Sequence, residues 1–445
     1  MLARPDPQSA VLPMNPIPPN HLPEVRRQYE ALPYPPRDPR DESKRLIPTW
    51  LEDLPMINHY CFGGRQSFGQ GFRALVAGGG TGDATIYLAE QLKHTDATIV
   101  HLDLSEASTA IAQERARVRG LGNIQWLRHS ILDLPSLALP PFDYINCSGV
   151  LHHLADPDQG LRALRQVLKP DGALGIMVYG AIGRTAIYHM QAAMRLVNGT
   201  EEDPARKIAA ARDILASLPP NNSFRRNEDL HHDHRMGDAG IYDLFLHSQD
   251  RAYTVGEIFD WFENGHGLHL AFSDVARGRS AYLPHMVLGR KPPDRMAQLR
   301  AMPRRQQYEL AELLGGDIIT HCFYATSGDR SARYGDIEAV PFFFHEPLTG
   351  EVVSRVFNTN RGQPFVLNHE NARLSLRVNP GRYGARLLGM IDGQRSFGAI
   401  FEQFRAEWKG QAAAPGDSTL FEDLRESYET LNATDRLLLR YPETA

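Results

Sequence analysis

The chain has 445 residues, 42% hydrophobic and 23% charged, the proportions of a globular protein with room for two or three domains and a core that needs no staples. A net charge of -5 argues against a generally basic nucleic-acid binder. Cys61, Cys147 and Cys322 lie too far apart for a disulfide framework or a zinc ribbon. No apolar run reaches about 18 residues and no apolar signal core opens the chain. The expectation is a cytoplasmic protein without a membrane span.

Proline crowds the start: eleven of the 31 prolines fall in the first 40 residues. Each removes a backbone donor and biases its predecessor toward extended conformations, so residues 1–65 are expected to form an arm with little regular structure. Tyr29 and Tyr34 sit in that arm, which either staples the domain surface or closes over a ligand as a lid. From Arg73 strands and helices alternate. Apolar runs at 73–77, 98–102, 124–127, 142–147 and 173–179 read as strands, and a helical pattern follows the first of them. Ser105 can cap the helix after the second. An amphipathic helix at 158–168 runs into Lys169-Pro-Asp-Gly172, a stop and turn signal. This rhythm means a parallel sheet with crossovers.

Residues of about 185–240 read as a polar helical insert. Runs at 268–272 and 285–288 read as further strands, and a boundary is expected at 291–294. Beyond it, 293–445 reads as a smaller α+β domain for recruitment or regulation. It has β-rich runs at 340–344 and 351–357 and helices near 397–408 and 420–431. The triple Phe342-Phe-Phe344 reads as core.

A strand that runs into a glycine-rich turn and then a helix lets backbone amides approach a ligand. Here the turn is Gly78-Gly-Gly-Thr-Gly82. A dinucleotide site would need glycine at position 83, where Asp83 stands, so a nicotinamide-linked oxidoreductase is disfavoured. Asp103 ends the second strand, placed to accept both hydroxyls of a ribose.

On these residues the chain resembles the class I S-adenosylmethionine-dependent methyltransferases over residues 66–292. Gly78–Gly82 matches their first motif and Asp103 their acidic ribose ligand. Asp143, with Gly149 and the loop to Leu154, matches the fourth strand and its sequel, and 168–172 matches the turn before the fifth. The resemblance implies an α/β fold with a seven-stranded, mostly parallel Rossmann-like sheet ending in a reversed hairpin, which the runs at 268–272 and 285–288 would supply. It implies S-adenosylmethionine as cofactor, with Gly78, Gly79, Gly80, Gly82, Asp103, Leu104, Ser130, Ile131 and Asn146 as its expected contacts. More narrowly, residues 28–35 and 243–254 look like segments of bacterial methyltransferase domains that often travel with tetratricopeptide repeats. This chain carries no such repeats and adds the domain after 292. It also has Val76 where many members place an acid near the methionine amino group, and Ser130 where many place Asp against the adenine amine.

Methyl transfer from a sulfonium needs alignment, exclusion of water and, for a protonated acceptor, a base. His152 and His153 follow the fourth strand; as neighbours on one turn, at most one is expected to face the reaction, the other reading being a helix cap. Tyr179 and Arg184 follow the fifth, and that guanidinium suits a carboxylate or phosphate of the acceptor, or a salt bridge to the insert. His247 is the expected base. Tyr29, Tyr34 and Asp243 are expected to complete the acceptor pocket. His231-His-Asp-His234 suits a transition metal by type, but no distant ligand set declares itself and a solvated loop is expected. The acceptor is a protein or a small molecule, a homodimer is left open, and a non-catalytic scaffold that keeps the cofactor fold is the alternative.

Overall fold

The structure is a computed structural model that describes residues 23–289, 295–344, 349–359, 363–369, 374–410 and 413–442. The prolines before residue 23 and the boundary at 291–294 lie outside the described residues. The arm departs from the extended form its prolines suggest. Pro23–Ala31 is a helix, α1, and Leu54–Cys61 is another, α2, with a proline in its first turn, where the missing N–H has no helical partner to lose.

Strand and helix then alternate as β1 (Arg73–Ala77), α3 (Asp83–Gln91), β2 (Thr98–Asp103), α4 (Glu106–Arg119), β3 (Ile124–Arg128), β4 (Phe142–Ser148), α5 (Pro157–Gln166) and β5 (Leu168–Gly180). Ser105 caps α4 by accepting from the amide of Ser108 at 3.1 Å. The sheet order begins β3-β2-β1-β4-β5, all parallel. The order reverses between β1 and β4, so a crevice opens there at the carboxyl ends of the strands. The turn at 169–172 lies inside β5. Phe142 faces Leu168 and Tyr144 faces Ala173, so these four residues loop out against Asp143 alone, and Lys169 reaches back to that carboxylate at 2.7 Å.

The insert is helical as the sequence suggests, with α6 (Thr185–Asn198) and α7 (Pro204–Ser217). It has its own apolar centre of Ile187, Met190, Met194, Phe224 and Phe245, against which Leu32 of the arm packs. β6 (Ala252–Tyr253) then lies beside the end of β5, and β7 (His269–Ser273) follows.

The last strand is a correction. Residues 285–288 fall in a helical turn, Pro284–Val287, and its end. A short continuous apolar run reads equally as strand or buried helix, and a proline in the first turn favours helix. The reversed hairpin is closed instead by β8 (Thr320–Thr326), antiparallel to both β5 and β7. The central sheet thus has eight strands and is mostly parallel. Ile318, Phe323 and Ala325 share one core with Leu75, Ile145 and Ile176. A boundary at 292 therefore cuts through the sheet's own hairpin.

Beyond β8 lie β9 (Val340–Phe343), β10 (Phe365–His369), β11 (Leu374–Val378) and β12 (Leu437–Arg440), with β9 paired to β12 and β10 to β11. The β-rich run at 351–357 is helical, Gly350–Thr359, held by an Arg355–Glu351 pair one turn apart. The helices Phe397–Ala406 and Asp417–Ala433 match expectation and bury Phe397, Ile400, Phe401, Leu420 and Leu424 in a second core. This unit is fastened to the first. The amide of Leu439 donates to His59 Nδ1 at 3.0 Å, and Asp435 accepts from Ser273 Oγ at 2.6 Å and from the Tyr60 hydroxyl. Phe342 and Phe344 pack on the core around α2. No helix among the described residues is long and apolar enough to cross a membrane.

A fragment ending at residue 291 lacks β8 and should be insoluble or melt without a cooperative transition, because β7 then has no partner and β5 a bare edge. A soluble fragment with a sharp thermal transition would show that β8 is dispensable.

Candidate active site

The glycine turn follows β1, and its conformation explains its composition. Gly80 has φ 52, and a Cβ there would stand 2.9 Å from the Tyr34 carbonyl oxygen. Gly82 has φ 99 at the start of α3, where a Cβ would stand 2.7 Å from that of Ala112. Gly80 thus admits the arm above the loop, and Gly82 lets α3 pack on α4. Asp103 accepts from the Gly80 amide at 2.8 Å and the Ser105 amide at 2.7 Å. Burial raises its carboxyl above the ordinary value against those amide bonds.

A cavity of about 1040 Å³ opens over this cradle, lined by Gly78, Gly79, Gly80, Asp103, Leu104, Ser130, Ile131 and Asn146 among others. Eight of the nine expected cofactor contacts are therefore on its wall. Gly82 is absent from it, its role being the helix contact. The Ser130 hydroxyl accepts from the Leu132 amide at 3.2 Å while Asp133 accepts from the Ser130 amide at 3.1 Å, so this side chain first caps the turn after β3.

The same cavity extends to three separated segments. Tyr29 and Tyr34 come from the arm, Tyr179 and Arg184 follow the sheet's fifth strand, and Asp243 follows the insert. The Tyr29 hydroxyl donates to Asp243 Oδ1 at 3.0 Å, Tyr179 to Oδ2 at 3.4 Å, and Tyr34 to Asp233 at 3.1 Å. The Arg184 guanidinium lies 3.6 Å over the Tyr179 ring. It is 2% exposed, its nearest carboxylate is Asp250 at 3.8 Å, and its Nε and Nη2 have no hydrogen-bond partner.

His152 and His247 are not on the wall. His152 stacks behind Tyr179, centroids 4.0 Å apart, and both its nitrogens lack partners. His247 stacks at 4.0 Å behind His153 and meets Tyr29 at 3.4 Å. His153 faces the cavity instead, its Nδ1 2.9 Å from the Gln249 carbonyl. The single turn Leu151–His153 decides which ring points inward, and adjacent residues give no sequence signal for that. Burial pushes Asp243 up to about 7 and His153 down to about 4, and it lowers His152 and His247 as well. At neutral pH the imidazoles are uncharged and Asp243 is near its midpoint.

The histidine-rich stretch packs locally. His234 pairs with Glu228 at 3.0 Å, and His231 stacks near Phe224. No metal-binding group of three His, Cys, Asp or Glu occurs among the described residues. Its Asp233 reaches the cavity, as do Trp50, Glu52, Asp53 and Phe344. Trp50, Glu52 and Asp53 are not picked out from sequence, where Asp233 reads only as part of a solvated loop and Phe344 only as core.

The sequence profile of a family described as "Methyltransferase domain" matches residues 75–174, the span from β1 to β5. An uncharacterized protein of Synechococcus sp., syc1184_c, is 35% identical over 300 residues, 67% of this chain and 69% of that one. The chain belongs to the class I S-adenosylmethionine-dependent methyltransferases. It is similar to the tRNA 5-carboxymethoxyuridine methyltransferase of Escherichia coli K12, 35% identical over 26% of this chain and 42% of that enzyme. Like the quinone-biosynthesis methyltransferases it matches, that enzyme is spanned over well under half its length. The fold of PKMT2 from Rickettsia typhi covers 95% of this methyltransferase and 75% of that chain, with TM-score 0.57 and 15% identity; PKMT2 is also known in complex with AdoHcy. That likeness extends the shared fold through the carboxy-terminal unit.

The residues present fit the cofactor: Gly78, Gly79 and Gly80 bring backbone without side chains to the cavity wall beside the half-buried carboxylate of Asp103, which is placed for a ribose. Asp103→Ala should weaken S-adenosylhomocysteine binding by about 1.5–3 kcal/mol, the scale for a hydrogen bond to a charged group, with no NAD binding in either protein. Unchanged calorimetric affinity in the variant would remove the ribose assignment.

Proposed function

We propose that this methyltransferase alkylates an acceptor seated among Tyr29, Tyr34, Tyr179, Arg184 and Asp243, with a protein side chain favoured over a free small molecule. When bound, S-adenosylmethionine supplies an electrophilic methyl on a sulfonium. The observation that carries the reading is a single cavity whose wall includes both the cofactor cradle and this tyrosine–acid cluster. Its volume lies at the top of the range of about 300–1,000 Å³ for one small ligand. That leaves room for a cofactor and a second group end to end. The carboxy-terminal unit supplies Phe344 to the same wall, which suits a macromolecular acceptor approaching over that unit.

Roles follow from placement. Arg184 orients the acceptor, since a buried guanidinium with unused donors is costly unless an oxygen-bearing group completes it. Asp243 takes the proton: it is on the wall, it bonds two tyrosine hydroxyls, and its carboxyl is held near neutrality. His247, one ring behind, contacts the Tyr29 hydroxyl at 3.4 Å and so helps to position it against Asp243. The arm excludes water from above.

Transfer of a labelled methyl from S-adenosylmethionine into a cell extract, followed by mass spectrometry of the product, tests the reading. Binding of S-adenosylhomocysteine without any transfer would favour a scaffold, the role that Val76 and Ser130 would suit. Arg184→Ala should lower turnover at least tenfold while cofactor affinity stays within about 0.5 kcal/mol, the scale for a site away from the cofactor. The raised carboxyl sets the pH profile. Asp243 is protonated and idle below its value of about 7 and competent above it, so turnover should rise as pH increases through that point. In Asp243→Asn that rise should vanish.

A further inference from the structure

One end of the cavity plays no part in the acceptor cluster. Its wall is the stretch just before α2, with Trp50, Glu52 and Asp53 facing Tyr87 of α3 and Asn146 of β4. Glu52 is 2% exposed, and its carboxylate accepts from Asn146 Nδ2. Gln91 pins the stretch to α3, donating to the Glu52 carbonyl at 2.8 Å and accepting from the Leu54 amide at 3.1 Å. Asn146 pairs in register with Val76 on the neighbouring strand, and paired neighbours in a sheet project to the same face. The Glu52 carboxylate therefore stands beside the Val76 side chain, which lines the cavity together with Gly78 and Gly79.

Neither Glu52 nor Asp53 has an ion-pair partner among the described residues. A buried carboxylate without a counter-charge is costly, and this one opens on a cavity that takes a cofactor bearing a primary ammonium. We propose that Glu52, supported by Asp53, binds the ammonium at the methionine end of S-adenosylmethionine, so that the segment before α2 supplies the acid missing at Val76.

The electrostatics agree. Burial pushes Glu52 up to about 7 and Asp53 up to about 6, and a bound ammonium draws such groups back toward the ionised form. The other titratable groups around Glu52 are Tyr87, Tyr144, Tyr324 and Cys322. All four are raised, by burial first, so near neutrality only the two carboxyls change charge.

Calorimetry with two ligands tests the assignment: S-adenosylhomocysteine carries the amino-acid end, and 5′-methylthioadenosine lacks it. Glu52→Gln should weaken S-adenosylhomocysteine about tenfold or more and leave 5′-methylthioadenosine within about twofold, as expected for losing one charged contact. Equal loss of both ligands would make Glu52 a structural residue, and loss of neither would leave the carboxylates without a cofactor role; either result overturns the proposal. The unaltered protein gives an independent reading. Its affinity for S-adenosylhomocysteine should fall about tenfold from about pH 8 to about pH 6 as Glu52 protonates, while that for 5′-methylthioadenosine stays flat. Parallel pH curves for the two ligands would also overturn it.

Discussion

A guanidinium with almost no solvent contact governs how this molecule closes. Arg115 of α4 is 1% exposed and bonds Glu42 of the arm, the Thr81 carbonyl of the glycine loop and Asp83 at the start of α3, each at 2.7 Å. Burying a cation in this way is tolerable only if its partners arrive together. Arg119 also pairs with Glu42, and Arg37 grips Asp83 from the arm at 2.6 Å. Against the burial that would raise it, Arg37 and Arg115 hold Asp83 below its ordinary value. The carboxylate that breaks the dinucleotide spacing is thus the anchor of the arm. With it in place, the Pro35 carbonyl accepts from the Thr81 hydroxyl at 2.7 Å, and the backbone at Tyr34 lies over Gly80. The roof of the cofactor cleft is held by charge at its rear edge.

Beneath that roof, burial strips charge from groups that would be ionised in water. His153 is driven toward the neutral form and Asp243 toward protonation, while the Arg184 guanidinium, which cannot discharge, rests on the Tyr179 ring. The resulting wall is aromatic and hydrogen-bonding with one persistent positive group. Such a wall suits a displacement on a sulfonium, where competing water near the methyl is unwelcome.

What could be read in the sequence was what is local. The turn from β1 into α3, the acid at the end of β2 and the cap at Ser105 are written in a few adjacent residues, and the parallel half of the sheet follows from their repetition. The closing hairpin is a different matter. Pro284 turns an apolar run into a helix, and Thr320–Thr326 becomes a central strand because it meets β5, whose paired residues begin at Leu174. Pairing over such a distance leaves no periodic trace. At the site, the tyrosines of the arm and Asp243 were singled out because their segments precede the sheet and follow the insert, and the fold puts all three on one cavity wall. The choice between His152 and His153 was not legible, since a single tight turn settles it. Glu52 was invisible for a related reason: its meaning comes from standing beside Val76, and only the folded sheet makes them neighbours.

The position of β8 bears on how the chain must be made. It lies between β5 and β7, yet it is the last of these strands to be synthesised. While a ribosome is still extending the chain toward residue 320, β5 presents an open edge and β7 has no hydrogen-bonding neighbour in the sheet. The nascent enzyme therefore carries an open sheet edge from the completion of β5 at Gly180 until β8 is made, a state that invites edge-to-edge association. Any shortening or slowing of the stretch between β7 and β8 would act on the yield of folded enzyme before it acted on catalysis.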